Sequence, residues 1–384
     1  MSDIELLKER FHNSNNIKDD YVFNIDKDIK KEFFVKRKEV ENIQSKLLEF
    51  FEIGKRQHLL IYGGVGTGKT KLLKYILDDA HTVYNFKVHF INCRNYNTSY
   101  QVMKKIIGEQ KKLPADIMFQ KFQLCLGKSQ KRISNPKIEK KDKEIKIIVL
   151  DEVDLLKDDT IFYNITRDEE FSDVLLIMIT NKQYFYDNIL TNDVKSSLQY
   201  QLIVFDAYNA TEIIDILLKR CEHGLHNYDK SVVNYIAGIN TKLHNSDVRV
   251  GIKTCEEIFR KKDFSKISKD ELESCMMLER IKIKNDIIKS LTDNKLILLL
   301  LIHDISSSDP ERICRSNKLY PRYKLEGYDV AKSYFFQYLN ELEKLDLLYL
   351  IQRREKRSNV LEVHLKLEEE NIEKLKEIIK AKGY

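Results

Sequence analysis

Tryptophan is absent from these 384 residues, and there are only 4 prolines and 12 glycines. So few backbone breakers exclude a collagen-like or low-complexity chain and point to a helix-rich one. Cysteine is sparse as well. Cys93, Cys125, Cys221, Cys255, Cys275 and Cys314 lie far apart, with no CxxC pair and no histidines at zinc spacing. They are expected to be free thiols in a reducing cytosol. Long apolar runs are missing too: the longest, LILLLLI at 296–302, is far shorter than the about 20 residues that cross a bilayer. It is expected to be a buried helix, and no membrane partner is expected. The stretch MSDIELLKERFHNSNN is charged from its third residue and has no signal-peptide core, so a cytoplasmic protein is expected. A net charge of +6 is too small to imply nucleic acid by itself, and 33% charged residues describes a solvated surface. What is plentiful is apolar content: 42% of the chain can bury the cores of two or three domains.

Four of the glycines gather in LLIYGGVGTGKTKLLKYIL, residues 59–77. The pattern GxxxxGK[ST] runs from Gly63 to Thr70, after a β-like HLLIY and before a helical KLLKYIL, which is the context a phosphate-binding loop requires. Glycine lets the backbone fold around phosphates so that successive N–H groups and the helix N-terminus face the anion. The expected nucleotide-binding residues are Gly63, Gly64, Val65, Gly66, Thr67, Gly68, Lys69, Thr70 and Lys71. Lys69 would reach the β- and γ-phosphates of ATP, and the Thr70 hydroxyl would ligate Mg²⁺.

A second element, IKIIVLDEVDLL, ends an apolar run in Asp151 and Glu152, as a buried parallel strand does when it presents carboxylates at its C-terminal edge. Asp151 would serve the Mg²⁺ and Glu152 would orient or deprotonate the attacking water. A third run, DVLLIMITN, ends in Thr180 and Asn181, and the Asn181 amide could hydrogen-bond the γ-phosphate or that water. An Asx turn is the plainer alternative for such a residue. Phosphate loop, acidic strand end and polar strand end follow in the order expected of an additional-strand ATPase of the AAA+ type.

The run NILTNDVKSSLQYQLIVFDAYNATEIIDILLKRCEHGL (188–225) resembles a box found in archaeal relatives of the eukaryotic origin recognition complex and its cell-division-control partner. VHFINCRNYNTSYQV, LDEVDLL and SDVRVGIKTCEEIFR also resemble segments of that family, over about residues 30–384. The resemblance implies that Arg249 is a second sensor reaching the nucleotide phosphates, and that Tyr208 and Val35 border the adenine. Arg37 and Lys38 lie near a basic residue of the family. Two departures stand out: Asp193 occupies the place of an arginine in the family's DPRVKSSL, and Ser246 replaces the glycine ahead of Asp247. No arginine finger for a neighbouring copy is identifiable, so slow, mostly monomeric hydrolysis is expected.

Towards the C-terminus, helical NKLILLLLIHDI is followed by YDVAKSYFFQYLNELEKLDLL and then by YLIQRREKRSNVLEVHLKL, two β-like runs around a polar turn. Helices followed by a hairpin suggest a winged helix-turn-helix. Arg353, Arg354, Lys356 and Arg357 crowd the expected wing tip, where cations suit phosphate or minor-groove contact. Phe335, Phe336, Leu339, Leu342 and Leu345 mark the core side of the preceding helix, while Lys332, Ser333, Tyr334 and Gln337 are placed to enter a major groove. A basic polar stretch at 127–146, and PADIMFQKFQLCLG ahead of it, are further regions that could touch DNA.

The expected architecture is an α/β AAA+ P-loop core, an αβα sandwich on a parallel sheet, with an all-helical lid and a winged-helix domain. The boundaries are 1–24 for a polar, mobile N-terminal segment, 25–206 for the core, 207–284 for the lid and 285–384 for the winged helix. The resemblance implies an ATP-dependent replication initiator, cytoplasmic and nucleoid-associated. It would bind double-stranded origin DNA, help load the replicative helicase and meet further copies or paralogues on DNA. Two alternatives stay open: a STAND-type signalling switch whose winged helix binds protein, and a plasmid or viral initiator of the same family.

Overall fold

The computed structural model describes residues 16–25, 27, 30–127, 145–166, 171, 173–182, 190–243, 246–260, 267–309, 313–328, 330–355 and 358–382. They form two compact units, Asn24–Lys219 and a second that joins the segment ahead of Asn24 to Arg220–Tyr384. The first unit contains α1 (Lys38–Ile53), β1 (His58–Gly63), α2 (Lys69–His81), β2 (Phe86–Asn92), α3 (Ser99–Ile107) and α4 (Ala115–Cys125). It continues with β3 (Ile145–Asp151), α5 (Thr160–Thr166), β4 (Val174–Thr180), α6 (Asn192–Ser197), β5 (Tyr200–Phe205) and the start of α7 (Ala210–Gly224).

The five strands pair in parallel in the order β2-β3-β4-β1-β5. Alternation along the two central strands explains the layers. Ile147, Val149, Leu175, Ile177 and Ile179 pack with Ile43, Leu47, Leu73 and Ile76 on one face. Ile148, Leu150, Leu176 and Met178 pack with Val102, Met118 and Phe122 on the other. Strands buried on both faces read as continuous apolar runs, which is why IKIIVL and VLLIMI carry no polar alternation. Parallel pairing brings the C-terminal strand ends to one edge. Asp151 is in register with Asn92, Thr180 with Tyr62, and Phe205 with Gly63.

In the second unit, residues 16–23 are held in place rather than loose. The buried Asn16 side chain donates to the Asn227 and Phe259 carbonyls, Val22 and Phe23 are buried, and Arg220 donates to the Val22 carbonyl. Four helices follow in the region expected for the lid: the remainder of α7, α8 (Lys230–Leu243), α9 (Val248–Arg260) and α10 (Lys269–Lys289). After them come α11 (Asp293–Ser308), β6 (Cys314–Arg315), α12 (Ser316–Leu325), α13 (Lys332–Lys344), β7 (Leu348–Glu355), β8 (Ser358–Leu365) and α14 (Glu369–Ala381). The antiparallel order β6-β8-β7, with α11 ahead of β6 and with α12 and α13 between β6 and the β7–β8 hairpin, is a winged-helix arrangement. The LILLLLI run lies inside α11, and six of its residues from Leu296 to Ile302 are buried in that core. Among the described residues no helix is long and apolar enough to cross a membrane. All six cysteines are unbridged.

Candidate functional site

The phosphate loop links β1 to α2, with Gly64, Val65, Gly66 and Thr67 forming the turn. Two of its glycines are required by their surroundings. A Cβ on Gly63 would stand 2.5 Å from the Phe205 carbonyl oxygen, because β5 runs alongside in register. Gly68 caps α2 at φ 82°, and a Cβ there would stand 2.4 Å from the Tyr208 hydroxyl. The loop is therefore walled by β5 and by the segment after it.

Lys69 opens α2 and is buried, its Nζ donating to the Gly63 and Gly64 carbonyls at 2.9 and 2.6 Å. Thr70, one residue on, donates its hydroxyl to Asp151 Oδ2 at 3.0 Å, so both expected Mg²⁺ residues meet. Lys71 follows in the same helical turn. Burial pushes the Asp151 carboxyl above the usual carboxylate range, opposed by the hydrogen bonds from Thr70 and from the Glu152 amide. Among the described residues no group of three or more His, Cys, Asp or Glu could hold a metal alone. One hydroxyl and one carboxylate instead suit Mg²⁺, which keeps several waters and takes its remaining ligands from phosphates.

Glu152 sits just past the strand end at φ 52°, a left-handed conformation that a side chain adopts only when its surroundings impose it. Its carboxylate accepts a two-pronged contact from Arg94, Nε and Nη2 each at 2.8 Å. Arg94 follows β2 in INCRNY and was not among the expected site residues. The signal for it was positional: a cation after the strand in register with Asp151. Asn181 directly follows the buried Thr180, which donates its hydroxyl to Asp154 Oδ1 at 2.9 Å.

Val35 and Tyr208 are both buried, and the Tyr208 hydroxyl stands against Gly68 of the loop. The Arg37 guanidinium lies 4.4 Å from the Tyr208 ring centroid, and burial pushes the phenol up to about 12. Arg249 belongs to the second unit, at the start of α9, where it forks onto Asp247 with contacts of 2.6 and 2.9 Å. Ser246, in the place of the family's glycine, has φ 58°. Asp193 stands in the first turn of α6, its carbonyl accepting from Ser196 and Ser197.

The described candidate DNA residues lie on α13 and β7. Lys332, Ser333 and Tyr334 are exposed in the first turn of α13, while Phe335, Leu339 and Leu342 are fully buried beneath. Phe336 and Leu345 are only half-buried, at the margin of that core. Gln337 donates to Glu341 at 2.8 Å. Arg353 projects from β7 and pairs with the buried Glu362 at 2.9 Å. Arg354 belongs to β7 by its backbone, whereas Lys356 and Arg357 lie outside the described residues, as does 128–144 of the basic stretch. PADIMFQKFQLCLG contains α4, which buries Met118 and Phe122.

Residues 53–183 match the family model for an AAA domain. The chain is 28% identical over 306 residues to ORC1-type DNA replication protein 1 of Methanothermobacter thermautotrophicus, covering 76% of this chain and 77% of that protein. Among solved structures, the Aeropyrum pernix ORC1 protein in complex with DNA aligns with TM-score 0.67 at 23% identity, over 94% of this chain and 97% of that one. The Aeropyrum pernix ORC2 protein in its ADPNP-ADP complexes aligns with TM-score 0.55 at 20% identity, covering 96% and 99% of the two chains. These two structures share the fold, while the ORC1-type relatives match in sequence along most of the chain. Sheet order, phosphate loop, acidic strand end and extended similarity agree: residues 53–183 match an AAA domain, and the chain is similar along most of its length to archaeal ORC1-type DNA replication proteins.

Proposed function

We propose that this protein is an ATP-dependent replication initiator, which binds double-stranded origin DNA through its winged helix and helps load the replicative helicase. The single observation that carries the reading is the Thr70–Asp151 pair at a walled phosphate loop, in a chain that also presents Lys332, Ser333 and Tyr334 on an exposed helical turn. Residues 25–206 would be the ATPase core, 207–284 its lid and 285–384 the DNA-binding domain. ATP or ADP would be held by Gly63 to Lys71, with Val35 and Tyr208 toward the base and Arg249 as the second sensor. Thr70 and Asp151 would hold Mg²⁺, which would supply charge neutralisation to the phosphates.

The chain's own residues then set the rate. Lys69 exchanges its loop carbonyls for phosphate oxygens, and Asn181 orients the water. Glu152 must leave Arg94 before it can reach the attacking water, because the guanidinium fork engages both of its carboxylate oxygens. Together with Asp193 in the arginine's place, this favours slow hydrolysis that resets a switch. The site of action would be the cytoplasmic nucleoid, with further copies or paralogues on the same DNA. The test is binding to a fluorescent duplex library with ATP, ADP or no nucleotide at two salt concentrations. Enrichment of a defined motif that depends on nucleotide is the expected result; no duplex binding at low salt would overturn the reading.

A further inference from the structure

Arg37 stands just ahead of α1 and is 5% exposed. Its Nη1 donates to the Thr67 carbonyl at 3.3 Å and its Nη2 to the Asp206 carbonyl at 2.9 Å. Nε donates to Glu212 Oε1 at 3.2 Å, and Glu39 approaches Nη2 at 3.0 Å. A buried guanidinium is tolerated only where its charge and donors are matched. Here the partners come from four separate places: α1, the phosphate loop, the end of β5 and the first turn of α7.

Glu212 continues the chain of contacts. Its second oxygen accepts from the Asn209 amide at 2.9 Å, while the Asn209 side chain accepts from the Glu212 amide at 2.9 Å. This reciprocal pair closes the first turn of α7 as a capping box does. Thr67 directly precedes Gly68, the residue that turns the loop into α2. One rigid, planar fork thus spans the loop and the helix cap, and its donors cannot be repositioned independently.

We propose that Arg37 is a positioning residue that couples occupancy of the phosphate loop to the first turn of α7. A nucleotide seated on the loop fixes the Thr67 carbonyl, Arg37 then holds Glu212, and the Asn209–Glu212 cap tightens. This rests on the ATP reading above and adds to it a route by which the first turn of α7 senses the bound nucleotide.

The experiment is hydrogen exchange on the full chain with Mg²⁺ and a non-hydrolysable ATP analogue, comparing the native protein with Arg37→Lys and Glu212→Gln. Lysine keeps the charge without the fork. Glutamine leaves the buried arginine in place and can still accept from Asn209, so it serves even where Arg37→Lys folds poorly. In the native chain the analogue should slow exchange about tenfold both in residues 63–70 and in residues 209–217. In each variant the loop should remain protected while the effect on 209–217 falls below about twofold. A purely structural role would change exchange equally with and without nucleotide and would leave this difference intact. Full protection of 209–217 in both variants overturns the coupling, as does native protection confined to the loop. No protection of the loop in the native chain removes the ATP reading and the coupling with it.

Discussion

The phosphate-loop site and the candidate DNA surface are built on opposite principles. At the phosphate loop, the functional side chains are buried or locked to one another: Lys69 to loop carbonyls, Thr70 to Asp151, Glu152 to Arg94. On α13, Lys332, Ser333 and Tyr334 stand in solvent above a closed apolar core. A site that must hold charges in fixed positions relies on burial and many partners. A surface that meets a polyanion instead needs exposed cations on a firm base. Single substitutions should therefore act sharply at the first site and in small increments at the second.

The largest expected effect is on hydrolysis. Glu152→Gln should lower the rate of phosphate release about 10²- to 10⁴-fold, with ATP affinity little changed, since it removes a general base and not a binding group. Next, Lys69→Ala should weaken ATP binding by about 2–3 kcal/mol, or ~30- to 150-fold, as expected when charge-assisted hydrogen bonds to phosphate are removed. Intact nucleotide binding in Lys69→Ala would sink the phosphate-loop assignment. Asp151→Asn opposes function and stability. The folded state raises this carboxyl, so the stability it contributes is present below the unfolded carboxylate range and is lost as pH rises through the folded pKa. At neutral pH the ionised form is therefore the less stable one. Asp151→Asn should raise Tm without nucleotide at pH 7, with the gain fading toward about pH 4, and should abolish the Mg²⁺-dependent increase in Tm with ATP.

The DNA surface should respond by degrees. Alanine at Arg353, Arg354, Lys356 and Arg357 should cut affinity for every duplex and reduce the salt slope by about 0.9 for each phosphate that is no longer neutralised. The contribution of Arg353 alone should be smaller, because Glu362 already shares its charge. Substituting Tyr334 or Gln337 should instead change which motif is enriched, by about 1–3 kcal/mol for a base contact. An unchanged salt slope in the fourfold variant would remove the wing from the interface.

The contrast between the two sites also explains what could be read in advance. Gly63 to Thr70 and Asp151 were legible because local backbone demands fix residue type: glycine where β5 crowds the loop, a carboxylate where a buried strand ends. The core side of α13 followed from helical spacing, although Phe336 and Leu345 proved marginal to it. Arg94 was not legible as a site residue, and Arg37 was marked only as lying near a basic residue of the resembled family. Their partners lie 58 and 175 positions away, at Glu152 and Glu212, and an arginine carries no local mark of a distant carboxylate. Residues 16–23 were equally opaque, because a polar tail and a segment anchored by Asn16 have the same composition until Asn227 and Phe259 are brought to it.

The smallest expected effect concerns Ser246, which departs from the family's glycine. Its φ of 58° places a Cβ-bearing residue in the left-handed region, where the penalty relative to glycine is about 1–2 kcal/mol. Glycine also loses more entropy on folding, by about 0.4–1 kcal/mol, which offsets part of the gain. Ser246→Gly should therefore stabilise the chain by about 0.5–1 kcal/mol in urea unfolding. Among the described residues, the hydrogen bonds around the turn are made by other atoms than the serine hydroxyl: the Ser246 amide donates to the Asn240 carbonyl and the Asn240 side chain donates to the Asp247 carbonyl. Both survive the substitution, and Asp247 stays paired with Arg249. If Ser246→Gly destabilises the protein instead, the serine side chain has a role at the start of α9 that outweighs its backbone strain, and its exchange for the family's glycine is then a functional departure.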